Sequence, residues 1–373
     1  MVQHSPINVF KKQVISYYQE AYVKKVVIVG TVGIPACYGG FESLVENLTK
    51  NSSEEIEYTV FCSKHHYKVQ LSHHNNAELV YLPLKANGIQ SVFYDILSLL
   101  KCWQIKSDVV LILGVSGCLF LPIFKLFSNS KIVTNIDGLE WKRDKWGKWT
   151  QRFLKLSESI AVKFSDVIIS DNQAISDYVY NEYNIKSNTI AYGGDHALRN
   201  TKLPTESSDY ALALCRIEPE NNIAMILKAF SKSKKNLIFV GNWNSSEFGK
   251  KLKSEYSKYG NIKLLDPIYN LDKLYLLRKQ CSLYIHGHSA GGTNPSLVEM
   301  MHFGVTILAY DCNFNRYSTD DKAYYFKSDQ NLIELLCLAA DNKLESNGYV
   351  MQKIALEHYT WHKISKDYEN TYY

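Results

Sequence analysis

The sequence lacks a membrane-length apolar run, a paired-cysteine motif, low-complexity tracts and any repeat of solenoid period, and each absence removes a class of protein. The longest apolar stretch, Val109–Phe124, falls short of the ~20 residues that a spanning helix needs. It is also interrupted by Gly114, Gly117 and Pro122. It reads as a buried parallel strand followed by a loop and a helix, so no transmembrane segment is expected. The eight cysteines are scattered, with no C-x-x-C pair and no metal-ligand spacing to a histidine. Free thiols in a reducing, cytoplasmic compartment are expected, with no bound metal. The N-terminus, with Gln3, His4 and Lys11–Lys12, shows no signal-peptide apolar region. A net charge of +5 is too weak to argue for nucleic acid.

The remaining composition, 46% hydrophobic and 21% charged, is that of a globular protein, and 373 residues exceed one typical core. Positive charge is concentrated in one place. Lys142, Arg143, Lys145, Lys148, Arg152, Lys155 and Lys163 are interleaved with Trp141, Trp146 and Trp149. That mixture suits an anionic membrane surface or a phosphorylated ligand, and a solvated helix face accounts for it equally well.

After a preamble of loosely helical spacing (residues 1–24), the chain alternates strands and helices. Lys25–Val29 runs into a glycine turn, Gly30–Gly33, then a loop to Gly40 and a helix beginning near Phe41–Glu42, the opening unit of a doubly wound α/β fold. Further strands are expected at Tyr58–Cys62, Glu78–Tyr81, Val109–Leu113, Lys131–Asn135, Val167–Ser170 and Thr189–Ala191. A polar stretch, His196–Asp209, has linker composition. The alternation then restarts with Tyr210–Leu214, Leu237–Val240, Ile262–Leu264, Leu283–Ile285 and Thr306–Ala309. Two Rossmann-like domains, 25–200 and 201–351, are expected, with a last helix in 352–373 crossing back to the first.

Three places carry candidate chemistry. The glycine turn is not G-x-G-x-x-G, and no acid follows the second strand to hold an adenosine ribose, which disfavours a nicotinamide dehydrogenase. What remains is a glycine-rich loop (Gly33, Gly39, Gly40, Glu42) at a helix start, suited to anions or sugar hydroxyls, or needed for the turn alone. Gly291-Gly292-Thr293-Asn294-Pro295-Ser296-Leu297-Val298-Glu299 reads as a second helix start. Thr293 or Asn294 would cap it, Pro295 would be its first residue, and the N–H groups of Ser296 and Leu297 would be free for a ligand. Glu299, one turn in, would accept from a ribose diol. A well-capped structural helix explains the same residues. Arg216, at the carboxyl end of the strand Tyr210–Leu214, suits the growing charge of a diphosphate leaving group, or a surface ion pair with Glu218 or Glu220.

Together these elements resemble the retaining family 4 glycosyltransferases of the GT-B fold. More narrowly, the chain resembles bacterial β-1,4-rhamnosyltransferases of capsule and cell-wall polysaccharide synthesis. The blocks are GTVGIPACYGGFE (30–42), NIDGLEWKRDKW (135–146), ISDNQAISDY (169–178), YGGD (192–195), RIEPENN (216–222) and GGTNPSLVE (291–299). The resemblance implies dTDP-L-rhamnose as donor and a polyprenyl-diphosphate-linked sugar as acceptor. It further implies peripheral attachment at the inner face of the plasma membrane, with Trp141–Lys163 as contact, and no metal or other cofactor. It implies donor contacts from Arg216, Asn221, Gly292, Thr293, Asn294, Ser296, Leu297 and Glu299. Asp137, Asp171 and Tyr192 would serve as acceptor-side or catalytic groups. Two positions depart from the wider family: Gly291 stands where a Glu is usual, eight residues before Glu299, and Asn221 where a Lys is usual. A UDP-hexose donor on the same scaffold and a non-catalytic sugar-nucleotide-binding partner remain as alternatives.

Overall fold

The computed structural model describes residues 22–36, 39–142, 146–200 and 208–373. Most of the expected extension, Arg143 and Lys145 of the basic stretch, and much of the linker lie outside these residues. The first domain is built from β1 (Lys24–Val29), α1 (Gly40–Lys50), β2 (Ile56–Ser63), β3 (His73–His74), β4 (Ala77–Leu82), α2 (Gln90–Ile105), β5 (Val109–Leu113), α3 (Leu121–Phe127), β6 (Lys131–Asn135), α4 (Lys148–Phe164), β7 (Val167–Ser170), α5 (Gln173–Tyr183) and β8 (Asn188–Thr189). Its sheet runs β3-β4-β2-β1-β5-β6-β7-β8, parallel except for the β3–β4 pair.

The second domain follows with β9 (Tyr210–Leu214), α6 (Ile223–Ser231), β10 (Asn236–Val240), α7 (Glu247–Tyr256), β11 (Ile262–Leu265), α8 (Leu271–Gln280), β12 (Leu283–His286), α9 (Pro295–Met301), β13 (Thr306–Tyr310), α10 (Asn313–Ser318), β14 (Tyr324–Phe326), α11 (Asp329–Ala340), α12 (Gly348–His358) and α13 (Trp361–Asn370). Its parallel sheet runs β11-β10-β9-β12-β13-β14.

The central strands are buried over Val26–Val29 and Val109–Leu113 because both faces are covered, which is why VVIV and VVLIL read as continuous apolar runs. Each large apolar side chain so buried contributes ~1.5–3 kcal/mol relative to exposure. One buried cluster joins the domains: Val26, Ile28 and Leu111 of the first sheet are continuous with Leu297, Met300, Trp361 and Tyr368.

The C-terminal segment is not one helix. It breaks at Tyr359–Thr360, where Thr360 caps α13 by accepting from the Lys363 N–H at 3.4 Å. α13 then lies on the first domain. Asn135 Nδ2 donates to Tyr368 Oη at 2.7 Å, the Tyr58 and Tyr372 hydroxyls lie 3.2 Å apart, and Lys24 Nζ donates to the Tyr372 carbonyl at 3.0 Å. β8 is Asn188–Thr189 rather than Thr189–Ala191, and β3 and β14 pair without having been foreseen. Among the described residues no helix is long and apolar enough to cross a membrane.

Candidate active site between the two sheets

On the first domain, the strand ends of β1, β6 and β7 supply the glycine loop, Asp137 and Asp171. Glu42 is buried, and its Oε1 accepts from the Val32 N–H at 2.8 Å and the Thr31 hydroxyl at 3.1 Å. Its carboxylate therefore shapes the loop from within. Gly39, at φ 144°, has no room for a Cβ beside that carboxylate, and Gly33, at φ 121°, lies against Cys62. Gly40 lies under Tyr192, whose hydroxyl would be 3.5 Å from an added Cβ.

Asp137 takes a left-handed backbone (φ 61°), and its N–H donates to Asn135 Oδ1 at 2.9 Å. Asp171, at the end of β7, is buried, and its Oδ1 has no hydrogen-bond partner. Burial first, and the charge of Asp137 second, push its pKa well above the usual carboxylate range. Tyr192 is buried beside this pair, and its phenol is pushed up by burial, then by Asp137 and Asp171.

The second domain meets these groups along a seam. Thr293 Oγ1 donates to the Asp171 carbonyl at 2.5 Å and accepts from Asn172 Nδ2 at 3.1 Å. Only glycine fits where the backbones touch. A Cβ on Gly138 would lie 2.7 Å from Gly291 Cα, and one on Gly292 would run into the Asp171 carboxyl. Gly291 itself sits at φ 110°, a conformation that a glutamate would adopt only under strain.

The start of α9 differs from the expectation in one respect. Asn294 is the cap and Pro295 the first helical residue. Yet the Ser296 N–H donates to Asn294 Oδ1 at 3.0 Å and the Leu297 N–H to the Asn294 carbonyl at 3.0 Å, so neither is free for a ligand. The Ser296 hydroxyl also donates to Asn294 Oδ1, at 2.7 Å. Thr293 faces the other domain instead of capping.

Arg216 is partly exposed, with Nη2 3.6 Å from Glu218 Oε2. Asn221 is buried and braces the loop: its amide donates to the Arg216 carbonyl at 2.7 Å, and its Oδ1 pairs with His288 Nδ1 at 2.7 Å. Glu299 is held by Arg278 Nη2 on one oxygen and by His196 Nε2 at 3.2 Å on the other. Burial alone would raise its pKa, but Arg278 and then His196 outweigh burial and hold it below the usual range.

The sequence reading did not single out Arg278, His196 or His286. His286, buried at the end of β12 with an unpartnered Nε2, has its pKa pushed down by burial and by His288. A signal existed for two of them, His196 directly after YGGD and the H-G-H that begins at the last residue of β12, but none for Arg278. Among the described residues no group of three or more His, Cys, Asp and Glu side chains is placed to hold a metal ion.

Residues 23–195 match the family model Domain of unknown function (DUF1972), and residues 196–344 match Glycosyl transferases group 1. Residues 196–344 therefore carry a group 1 glycosyltransferase domain. The chain as a whole has the GT-B fold, as its solved neighbours show. Sucrose-phosphate synthase from Thermosynechococcus elongatus superposes with a TM-score of 0.77 at 12% identity, over 94% of this chain and 98% of that one. HepE of Anabaena, in complex with UDP, gives 0.71 at 14% identity, over 93% and 99%. The catalytic domain of Starch Synthase IV from Arabidopsis thaliana, bound to ADP and acarbose, gives 0.67 at 11%, over 94% and 98%. A search of curated proteins finds no match. The seam just described joins the two matched regions along the carboxyl ends of their strands.

Proposed function

We propose that the enzyme is a retaining family 4 hexosyltransferase that moves L-rhamnose from dTDP-L-rhamnose to a lipid-diphosphate-linked sugar during polysaccharide synthesis. Arg216, the Gly292–Asn294 loop and Glu299 hold the donor on the second domain. The glycine loop and Asp137 receive the acceptor on the first, and closure at Gly138–Gly291 excludes water. The nucleotide's own phosphate assists the incoming hydroxyl from the face it leaves, and Arg216 stabilises the diphosphate charge that grows as the bond breaks.

The observation that carries the choice of sugar is the backbone of Gly291. The position where the wider family carries a glutamate is at φ 110° here, so the sugar is held without that carboxylate. The second reading, a UDP-hexose donor, is favoured by the solved HepE structures of the same fold, which contain UDP and UDP-glucose.

The outer face of α2–α4 supports a membrane partner. Ile89, Phe93, Leu126, Phe127 and Trp149 are exposed there, and Lys125, Lys148 and Arg152 stand among them. Apolar and cationic side chains on one helical layer suit an anionic interface.

Replacing Arg216 by Ala tests the catalytic reading. Its ion pair with Glu218 is exposed and contributes little to stability, so the fold should be kept. Loss of the diphosphate clamp should lower kcat/KM by about 10²–10³-fold. Intact polymer from cells carrying only Arg216→Ala, Glu299→Ala protein would show instead that the chain is a non-catalytic binding partner.

A further inference from the structure

Glu299 is gripped from two sides, and one grip leads out of the pocket. His196 belongs to the 3-10 turn Asp195–Ala197, where the chain leaves the first domain directly after Gly193–Gly194. Its Nε2 lies 3.2 Å from Glu299 Oε1. Trp361 Nε1 donates to its Nδ1 at 2.8 Å. An acceptor nitrogen must carry a lone pair, so the ring proton is kept on Nε2, facing Glu299.

Trp361 opens α13, the segment by which the chain returns to the first domain. Its N–H donates to Asp195 Oδ1 at 2.8 Å, and the Gly194 N–H donates to the Tyr359 carbonyl at 2.8 Å. The two crossings also press on α9. A Cβ on Gly193 would lie 2.6 Å from the Trp361 ring, and one on Gly194 2.6 Å from the Val298 carbonyl. Other titratable groups near Glu299 are Arg278 on α8, Tyr284 on β12 and His302 on the turn after α9. His302 points its Nε2 at the Tyr359 carbonyl, at 2.9 Å.

We propose that His196 is a positioning residue for the nucleotide sugar: reaching from the interdomain crossing, it fixes the rotamer of the Glu299 carboxylate, so donor affinity depends on how the crossings are seated. This rests on the reading that Glu299 faces the donor. A carboxylate has about four lone-pair sites. The grips of Arg278 and His196 use one on each oxygen and leave the others for ligand hydroxyls. Arg278 alone would leave the carboxylate free to rotate.

The test is calorimetric binding of UDP and of dTDP to the full chain, in wild type, Glu299→Gln, His196→Ala, His196→Gln and the His196→Ala, Glu299→Gln double variant. Glu299→Gln and His196→Ala should each weaken binding of the preferred nucleotide about tenfold, the size of one hydrogen bond to a charged group. His196→Gln, whose amide N–H reaches the same oxygen, should recover most of the loss. The double variant should bind no more weakly than Glu299→Gln, because His196 acts through that carboxylate. KM for the sugar nucleotide should rise in step while kcat holds.

Normal binding by His196→Ala beside weakened binding by Glu299→Gln would overturn the proposal and leave the donor reading standing. Multiplying losses in the double variant would also overturn it, since His196 would then act elsewhere. Unchanged binding by Glu299→Gln would remove the donor reading itself. If His196→Ala unfolds at a lower temperature, the His196→Gln comparison carries the test.

Discussion

Replacing Gly138 by Ala should separate the two halves of the site without removing any group from it. The added Cβ would lie 2.7 Å from Gly291 Cα, 3.1 Å from the Gly291 carbonyl carbon and 3.3 Å from the Gly292 nitrogen. Carbon atoms rest at about 3.5–4.0 Å, so the seam must open by about 1 Å. All three neighbours are backbone, so no rotamer change can relieve the clash. Overpacking of this kind costs ~1–3 kcal/mol, and a displacement of about 1 Å between reacting groups costs on the order of 10²-fold in rate. Under the proposed donor reading none of Arg216, Glu299 and His196 touches Gly138, so nucleotide affinity should stay within about threefold by calorimetry while kcat/KM for transfer falls roughly a hundredfold. Gly260→Ala is the control, since a Cβ there meets nothing within 4 Å. A Gly138→Ala enzyme that transfers sugar at the wild-type rate would refute the claim that the Gly138–Gly291 contact is the reactive arrangement.

Asp95 is buried and accepts from the Ser116 hydroxyl, and burial pushes its pKa up to about 7. A raised acid favours the protonated fold. Its contribution is complete below the unfolded value near 4 and is lost as pH climbs through about 7, a decline of up to ~4 kcal/mol. Urea midpoints at pH 5 and pH 8 should therefore converge in Asp95→Asn and differ in the wild type; an equal pH slope in both would contradict the assignment. On the α2–α4 face, the double change Leu126→Glu, Phe127→Glu removes two exposed apolar groups and adds two negative charges. Sedimentation with vesicles of anionic lipid should fall at least tenfold, whereas undiminished binding would place the membrane contact elsewhere.

The layer architecture was legible because a parallel strand covered on both faces is a short β-branched run bounded by glycine or polar residues, as at Val109–Leu113 and Lys131–Asn135. β3 and β14 were not, because two or three residues carry no period of their own and pair only where a neighbouring strand presents an edge. The cap at Asn294 was legible for the same local reason. What that cap consumes was not: Asn294 takes up the Ser296 and Leu297 N–H groups that looked free in the sequence. Contacts between distant segments left no local trace. Thr293 reaches Asp171, Arg278 reaches Glu299 and Trp361 reaches His196, pairs set by how two domains and a returning helix come together. Glu42 illustrates the converse case. It was singled out with the glycine loop, and its carboxylate is spent on shaping that loop.

The most direct measurement is a panel of nucleotide sugars offered to the purified enzyme with a polyprenyl-diphosphate-linked GlcNAc or glucose acceptor, with mass readout of the lipid product. Addition of one deoxyhexose from dTDP-L-rhamnose is expected, and none from UDP-glucose or UDP-galactose. Turnover of a UDP-hexose with no product from dTDP-L-rhamnose would contradict it.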